Sequence, residues 1–297
     1  MTYDLVLTPI ELPARPIEGN KGTFGRAFIL AGSVGMSGAA ALCGIAALRG
    51  GAGLVTVAVP APIQPIVASF EPSYMTLALP ATAAGQFSRA ALPDLEKLLS
   101  SASAVACGPG WGQSAELSDI LNWLQQTVRQ PLVMDADALN ILARAPGLLA
   151  QAAGPRILTP HPGEFARLIN SDVATVQCQR IDLAVEFAAR HQVVLLLKGA
   201  GTVITDGTRV AVNTTGNSGM GTGGTGDVLT GLITALLGQG LDPFAAARLG
   251  AHLHGLAGDL AAAELSQPAL IASDIPRYFG PAWRQLLAGQ SNGERDT

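Results

Sequence analysis

Short β-prone runs alternate with helix-period patterns along most of this 297-residue chain, and several of the runs stop at a glycine or a polar motif. Phe28 to Ala31, Leu54 to Val59, Ala104 to Cys107, Leu132 to Met134, Arg156 to Leu158 and Val193 to Leu197 read as strands. Ser37 to Arg49, Leu117 to Val128, Ile181 to Arg190, Asp227 to Leu237 and Pro243 to Glu264 read as helices; the last opens with Asp242-Pro243, a cap followed by proline. Thr202 to Thr205 and Val210 to Val212 flank Asp206-Gly207, a hairpin signature. This alternation predicts an α/β fold, a mostly parallel central sheet with helices on both faces. A chain that is 48% apolar and only 13% charged suits a sheet buried on both sides. We read a single domain over 1–297, with an extended leader over 1–20 and a frayed tail over 290–297.

Ligands in such sheets bind beyond the carboxyl ends of the strands. Gly108-Pro109-Gly110, Asp135, His161 and Lys198 all follow predicted strands, and together they outline the rim of one site. The run Asn217 to Gly226 holds five glycines and two threonines, then Asp227, then a helix. Glycines there let backbone N–H groups face a ligand, and the helix N-terminus adds donors and partial positive charge suited to phosphate. A carboxylate repels phosphate, so Asp227 makes sense as a general base that takes a proton from a reacting hydroxyl. The competing reading is a helix cap.

The chain has three lysines, Lys21, Lys97 and Lys198. Lys198, at a strand end before Gly199-Ala200-Gly201-Thr202, suits a point charge for phosphate, against the alternative of a surface lysine. His161 stands between Pro160 and Pro162 and can hydrogen-bond a substrate, while Glu164 could reach a metal or phosphate-bound water. Asp135 and Asp137 either hold a cation through water or cap the next helix. His191, His252 and His254 have no comparable setting, and a helix points His252 and His254 to different faces. Gly32, Gly35 and Gly38 do not keep the dinucleotide spacing, and no Walker A pattern occurs.

Net charge is −4, which argues against nucleic acid or an acidic membrane as partner and leaves an anionic substrate to local groups. Gly38 to Leu48 is too short to span a bilayer. Met1 to Leu30 lacks a signal-peptide hydrophobic region. Cys43, Cys107 and Cys178 are scattered, with no metal-ligand spacing, which fits a reducing cytoplasm.

Seven motifs taken together carry a family resemblance. They are Lys-Gly-Thr-Phe-Gly at 21–25, the glycine-rich segment at 32–39, Gly-Pro-Gly at 108–110 and Asp-Ala-Asp-Ala-Leu-Asn at 135–140. Thr-Pro-His-Pro-Gly-Glu at 159–164, Lys-Gly at 198–199 and Gly-Thr-Gly-Gly-Thr-Gly-Asp at 221–227 complete them. The chain resembles the ADP-dependent NAD(P)H-hydrate dehydratases of the ribokinase-like superfamily from Lys21 to about Asp274. The His161 segment is the more specific signal, since small-molecule kinases of that superfamily tend to carry Asn there.

The resemblance implies a ribokinase-like fold and a repair reaction in which ADP (or ATP), with Mg2+, phosphorylates the ring hydroxyl of NADH or NADPH hydrate so that it can leave. By motif, Asp227 is the catalytic base, and Ala39, Gly110, His161 and Asp227 contact the hydrate. Lys198, Gly199, Ala200, Gly201, Thr202 and Gly226 contact the nucleotide, and amides of Gly224, Thr225 and Gly226 form the anion hole. Metal ligands are not assigned, with Glu164 and Asp135 as candidates. A homotetramer and a separate epimerase are also implied. The alternatives are a small-alcohol kinase (hydroxyethylthiazole, pyridoxal or hydroxymethylpyrimidine) and a non-catalytic nucleotide-binding regulator.

Overall fold

The computed structural model describes residues 3–8 and 10–293. Its strands are β1 (Asp4–Leu5), β2 (Arg26–Leu30), β3 (Leu54–Pro60), β4 (Met75–Leu79), β5 (Ala104–Cys107), β6 (Leu132–Met134), β7 (Arg156–Leu158), β8 (Val194–Leu197), β9 (Val203–Thr205) and β10 (Arg209–Val212). The helices are α1 (Ser37–Arg49), α2 (Gln64–Ala68), α3 (Leu92–Leu99), α4 (Ala115–Thr127), α5 (Asp137–Arg144), α6 (Pro162–Leu168), α7 (Val173–Cys178), α8 (Arg180–His191), α9 (Thr225–Gly238), α10 (Pro243–Leu265) and α11 (Ile275–Gly293).

All ten strands form one sheet in the order β1-β10-β9-β8-β7-β6-β5-β2-β3-β4. Only β9 runs against the others, because the Asp206 turn makes it one arm of the expected hairpin. The mostly parallel α/β architecture is therefore as expected.

Alternate strand residues feed two cores. Ala27 and Ile29 face α1, α9, α10 and α11, while Phe28 and Leu30 face α3, α4, α5 and α8. Helices thus cover both faces, as strand alternation requires.

The leader contributes β1, which pairs with β10, and α11 continues to Gly293, into the segment expected to fray. Residues 1, 2, 9 and 294–297 lie outside the described residues.

The chain order reverses between β2 and β5: one branch runs outward through β3 and β4, the other through β6, β7 and β8. The loops following β2 and β5 are tied together there. The Gly32 amide donates to the Pro109 carbonyl at 2.8 Å, and the Ser33 hydroxyl to the Gly110 carbonyl at 2.7 Å. Helix α9 lies across β2, β5 and β6, so its N-terminus opens at this switch point. Its depth is set by α1. A Cβ on Gly231 would stand 2.0 Å from the Cys43 carbonyl oxygen, so only glycine permits this backbone contact. The Cys43 thiol also donates to the Asp227 carbonyl at 3.0 Å.

Candidate active site

Gly224 is the N-cap of α9, in the left-handed region at φ 93°, and no side chain caps the helix. Asp227 is in the first turn but does not cap it, which removes the competing reading. Burial raises its carboxyl first, and the nearby Asp135 charge adds to this. Lys198 pulls the other way, and the outcome is a pKa of about 7. A base poised there is half ionised near neutrality and matched to proton transfer.

Lys198 leaves the end of β8 with its side chain 20% exposed. Its ammonium donates to Asp135 Oδ1 at 2.8 Å and lies 3.9 Å from Glu164 Oε2. Burial pulls the lysine down, but Asp135 and Glu164 more than offset it and hold it above the usual range. Asp135 is 1% exposed. Burial would raise it; the Lys198 charge and the hydroxyls of Thr230 and Thr159 hold it below the usual carboxylate range instead. A Cβ on Gly226 would stand 3.2 Å from Lys198 Nζ and 3.4 Å from Asp135 Oδ2, so the ion pair sits against the glycine-rich turn. Lys198 is not a surface lysine.

His161 is the N-cap of α6. Its Nδ1 accepts from the amides of Gly163 (3.0 Å) and Glu164 (3.3 Å), and Glu164 Oε2 accepts the His161 amide at 2.8 Å, a reciprocal capping box. With Nδ1 an acceptor, the ring proton belongs on Nε2, and the imidazole stays half-exposed. Burial, then the charges of Lys198 and Arg167, lower its pKa and keep it neutral. Burial raises Glu164, with Lys198 opposing.

Ala39 and Gly110 meet across the switch point: a Cβ on Gly110 would stand 2.9 Å from the Ala39 Cβ. Both are buried.

A cavity of about 980 Å3 gathers His161, Lys198, Gly199, Ala200, Gly201, Thr202, Thr225 and Gly226. Asp227, Gly224, Ala39 and Gly110 do not line it.

The cavity also takes in Asn217, Ser218 and Met220 of the glycine-rich run, together with Asn213 to Gly216 and His254, which sequence reasoning missed. The polar turn Asn-Thr-Thr-Gly-Asn directly after β10 was the available signal. His254, set aside on sequence, is 7% exposed, and its Nε2 has no hydrogen-bond partner among the described residues. Burial lowers its pKa to about 4, so it is neutral.

The candidate metal ligands are already occupied. Asp135 gives Oδ1 to Lys198 and Oδ2 to Thr230, and Glu164 closes the cap with His161. Asp137 accepts the Gly112 amide at 2.7 Å, and the N-cap of α5 is Ala136 with no side-chain bond. The capping role expected of Asp135 and Asp137 is therefore not met. Among the described residues no cluster of three or more His, Cys, Asp or Glu side chains could hold a metal. These residues do not fit a magnesium ion held by the protein alone.

A glycine-rich helix N-terminus, a lysine against it and a poised carboxylate are the parts of a phosphoryl-transfer site. The fold agrees with this class. A ribokinase-like superfamily protein from Enterococcus faecalis superposes with a TM-score of 0.79 at 26% identity, covering 92% of each chain. The family model described as NAD(P)H-hydrate dehydratase matches residues 27–278, and the chain belongs to that family. The ADP/ATP-dependent NAD(P)H-hydrate dehydratase of Bacillus subtilis, crystallised with ATP and Mg2+, is 32% identical, with a TM-score of 0.79 over 93% of this chain and 94% of that one. The bifunctional NAD(P)H-hydrate repair enzyme Nnr of Moorella thermoacetica is 48% identical over 93% of this chain. The chain spans 52% of that relative's length.

Proposed function

We propose that this protein dehydrates (6S)-NADH hydrate and (6S)-NADPH hydrate to NADH and NADPH, with ADP as phosphoryl donor, releasing AMP and phosphate. Hydroxide is a poor leaving group, and phosphate is a good one. Asp227 takes the proton of the C6 hydroxyl while that oxygen attacks the terminal phosphorus of ADP, and the bond to the AMP oxygen breaks. The ring nitrogen then expels phosphate from C6, and loss of a C5 proton forms the double bond. The observation that carries this reading is Asp227 itself: uncapped, in the first turn beside the glycine-rich loop, with a pKa of about 7.

The amides of Gly224, Thr225 and Gly226 stabilise charge on the transferring group. Lys198 to Thr202 and Gly226 hold the nucleotide, with the Lys198 ammonium kept in place by Asp135. Ala39 and Gly110 contact the hydrate, and His161, at the edge of the nucleotide cavity, contacts it where the two ligands meet. Magnesium would enter with the nucleotide, where it would shield phosphate charge.

We extend the reading to a cytoplasmic protein that forms a homotetramer and works beside an NAD(P)H-hydrate epimerase activity. Among the described residues no helix is long and apolar enough to cross a membrane.

Incubation with (6S)-NADH hydrate, ADP and Mg2+ tests the reaction. The absorbance band of reduced nicotinamide returns, with one AMP per NADH formed. A band that stays absent while the hydrate is consumed by nothing else would remove the reading.

A further inference from the structure

We propose that a cleft walled by Arg144 and Arg167 holds a phosphate group on the part of the substrate beyond the reacting nicotinamide ring. The inference rests on the dehydratase reading above, and it names a subsite that the motifs do not assign. The cleft, of about 590 Å3, lies where α5, α6 and the loop after β5 meet. Gln113, Asn140, Asn170 and Ser171 complete its polar wall.

Its arginines make no close contact with a carboxylate, although Glu164 lies near enough to feel the Arg167 charge. Neither arginine forms an ion pair among the described residues. Neutral amides hold them instead: Arg144 donates through Nη2 to the Gln113 side chain, and Arg167 Nε donates to Asn140 Oδ1 at 3.0 Å. A guanidinium positioned by an amide keeps its full charge and its remaining donors for a ligand. Its planar fork suits phosphate oxygens.

The cleft also adjoins the substrate positions. Side chains on a helix lean toward its N-terminus, so Arg167 reaches back along α6. Its Nη1 lies 4.0 Å from where a Cβ on Gly163 would stand, and His161 Nδ1 lies 3.2 Å from the same point. On the other wall, Gln113 comes three residues after Gly110. The Gly112 amide between them is held by Asp137 of α5 at 2.7 Å. A molecule touching Gly110 and His161 with its ring at Asp227 therefore has its far end directed to this cleft.

That far end is anionic. A dinucleotide hydrate carries a pyrophosphate, and the NADPH form adds a ribose 2′-phosphate. The chain has a net charge of −4, so local cations must hold these groups. The 980 Å3 cavity beyond the glycine-rich turn is taken by the donor nucleotide in this reading.

The test is the double substitution Arg144→Gln with Arg167→Gln, with Kd values for (6S)-NADPH hydrate, (6S)-NADH hydrate and ADP measured by calorimetry. Hydrate binding weakens about tenfold or more from the loss of charge-assisted contacts, while the ADP Kd stays within about twofold. Equal loss for both hydrates puts the pyrophosphate in the cleft; loss confined to NADPH hydrate puts the 2′-phosphate there. Three outcomes overturn the proposal: hydrate Kd values unchanged, ADP affinity falling in parallel, or a parent protein that binds neither hydrate. The first two assign the arginines to the C-terminal turns of their helices alone. A parent that binds the hydrates but never turns them over with ADP leaves the cleft standing and removes the dehydratase reading.

Discussion

Lys198 and Asp135 leave the ends of two different strands and meet at 2.8 Å against the glycine-rich turn. Each needs the other. Asp135 is almost fully enclosed, and Lys198 brings the positive charge that keeps it ionised.

Lys198→Ala should therefore act twice. It removes a phosphate contact, raising the nucleotide KM by the equivalent of about 1.5–3 kcal/mol. It also strands a buried carboxylate, which costs roughly 3–5 kcal/mol of stability. Adding Asp135→Asn should recover much of the thermal stability but none of the nucleotide affinity. Denaturation and steady-state kinetics on both variants check this; recovery of KM in the double variant would contradict it.

Asp227→Asn should lower kcat by about 10²- to 10⁴-fold, the usual general-base contribution. ADP affinity, read by calorimetry, should hold. In the parent, kcat should rise with pH through about 7 as the carboxyl ionises.

Stability of the parent should run the other way. A carboxyl with a raised folded-state pKa favours the protonated native state, so its contribution is full below the unfolded value. That contribution declines between the unfolded pKa and the folded value of about 7. Asp227→Asn should accordingly melt higher than the parent at pH 8, by a margin that shrinks toward pH 4. Melting curves at the two pH values decide it.

His161 has two separable tasks. Asn caps helices well, so His161→Asn should keep α6 intact while the hydrate KM rises by the equivalent of about 1–3 kcal/mol. His161→Ala should lose the cap too, at about 1 kcal/mol of stability. Equal melting temperatures for the two variants would show that the cap is worth nothing here.

Gly226→Ala should weaken the nucleotide without unfolding the protein. The added methyl meets Lys198 Nζ at 3.2 Å, and that ammonium is the end of a flexible chain that can shift. The expected result is a raised ADP KM with a melting temperature close to the parent's.

Much of this was legible before the structure. The bounds of α1, β5, β6 and β7 agree with the sequence reading, because a glycine, proline or aspartate stands directly beside one end of each. Helices α5, α6 and α7 were missed; each is eight residues or fewer and lies next to the turn-like motifs that drew attention as loops. Strand β4 was missed because its edge position leaves Met75 and Ala78 exposed, which blurs the pattern. Gly280 and Pro281 interrupt α11 in sequence though not in space.

Among site residues, Asp227 and Lys198 were readable because glycines isolate them. The engagement of Asp135 by Lys198 was not, since it joins positions 63 residues apart. His254 was invisible for a similar reason: only the packing of α10 behind the turn puts its ring at the cavity.

The backbone contact between Cys43 and Gly231 has a consequence for the width of the site. Helix α1 carries Ala39 on one side of the transfer, and α9 carries the glycine-rich turn on the other, and the two are locked at van der Waals distance. In the proposed reaction, acceptor and donor would therefore approach each other across a gap of set width. A side chain at position 231 would push the two helices apart and widen that gap, so its width is set from behind the site rather than by the residues that line it.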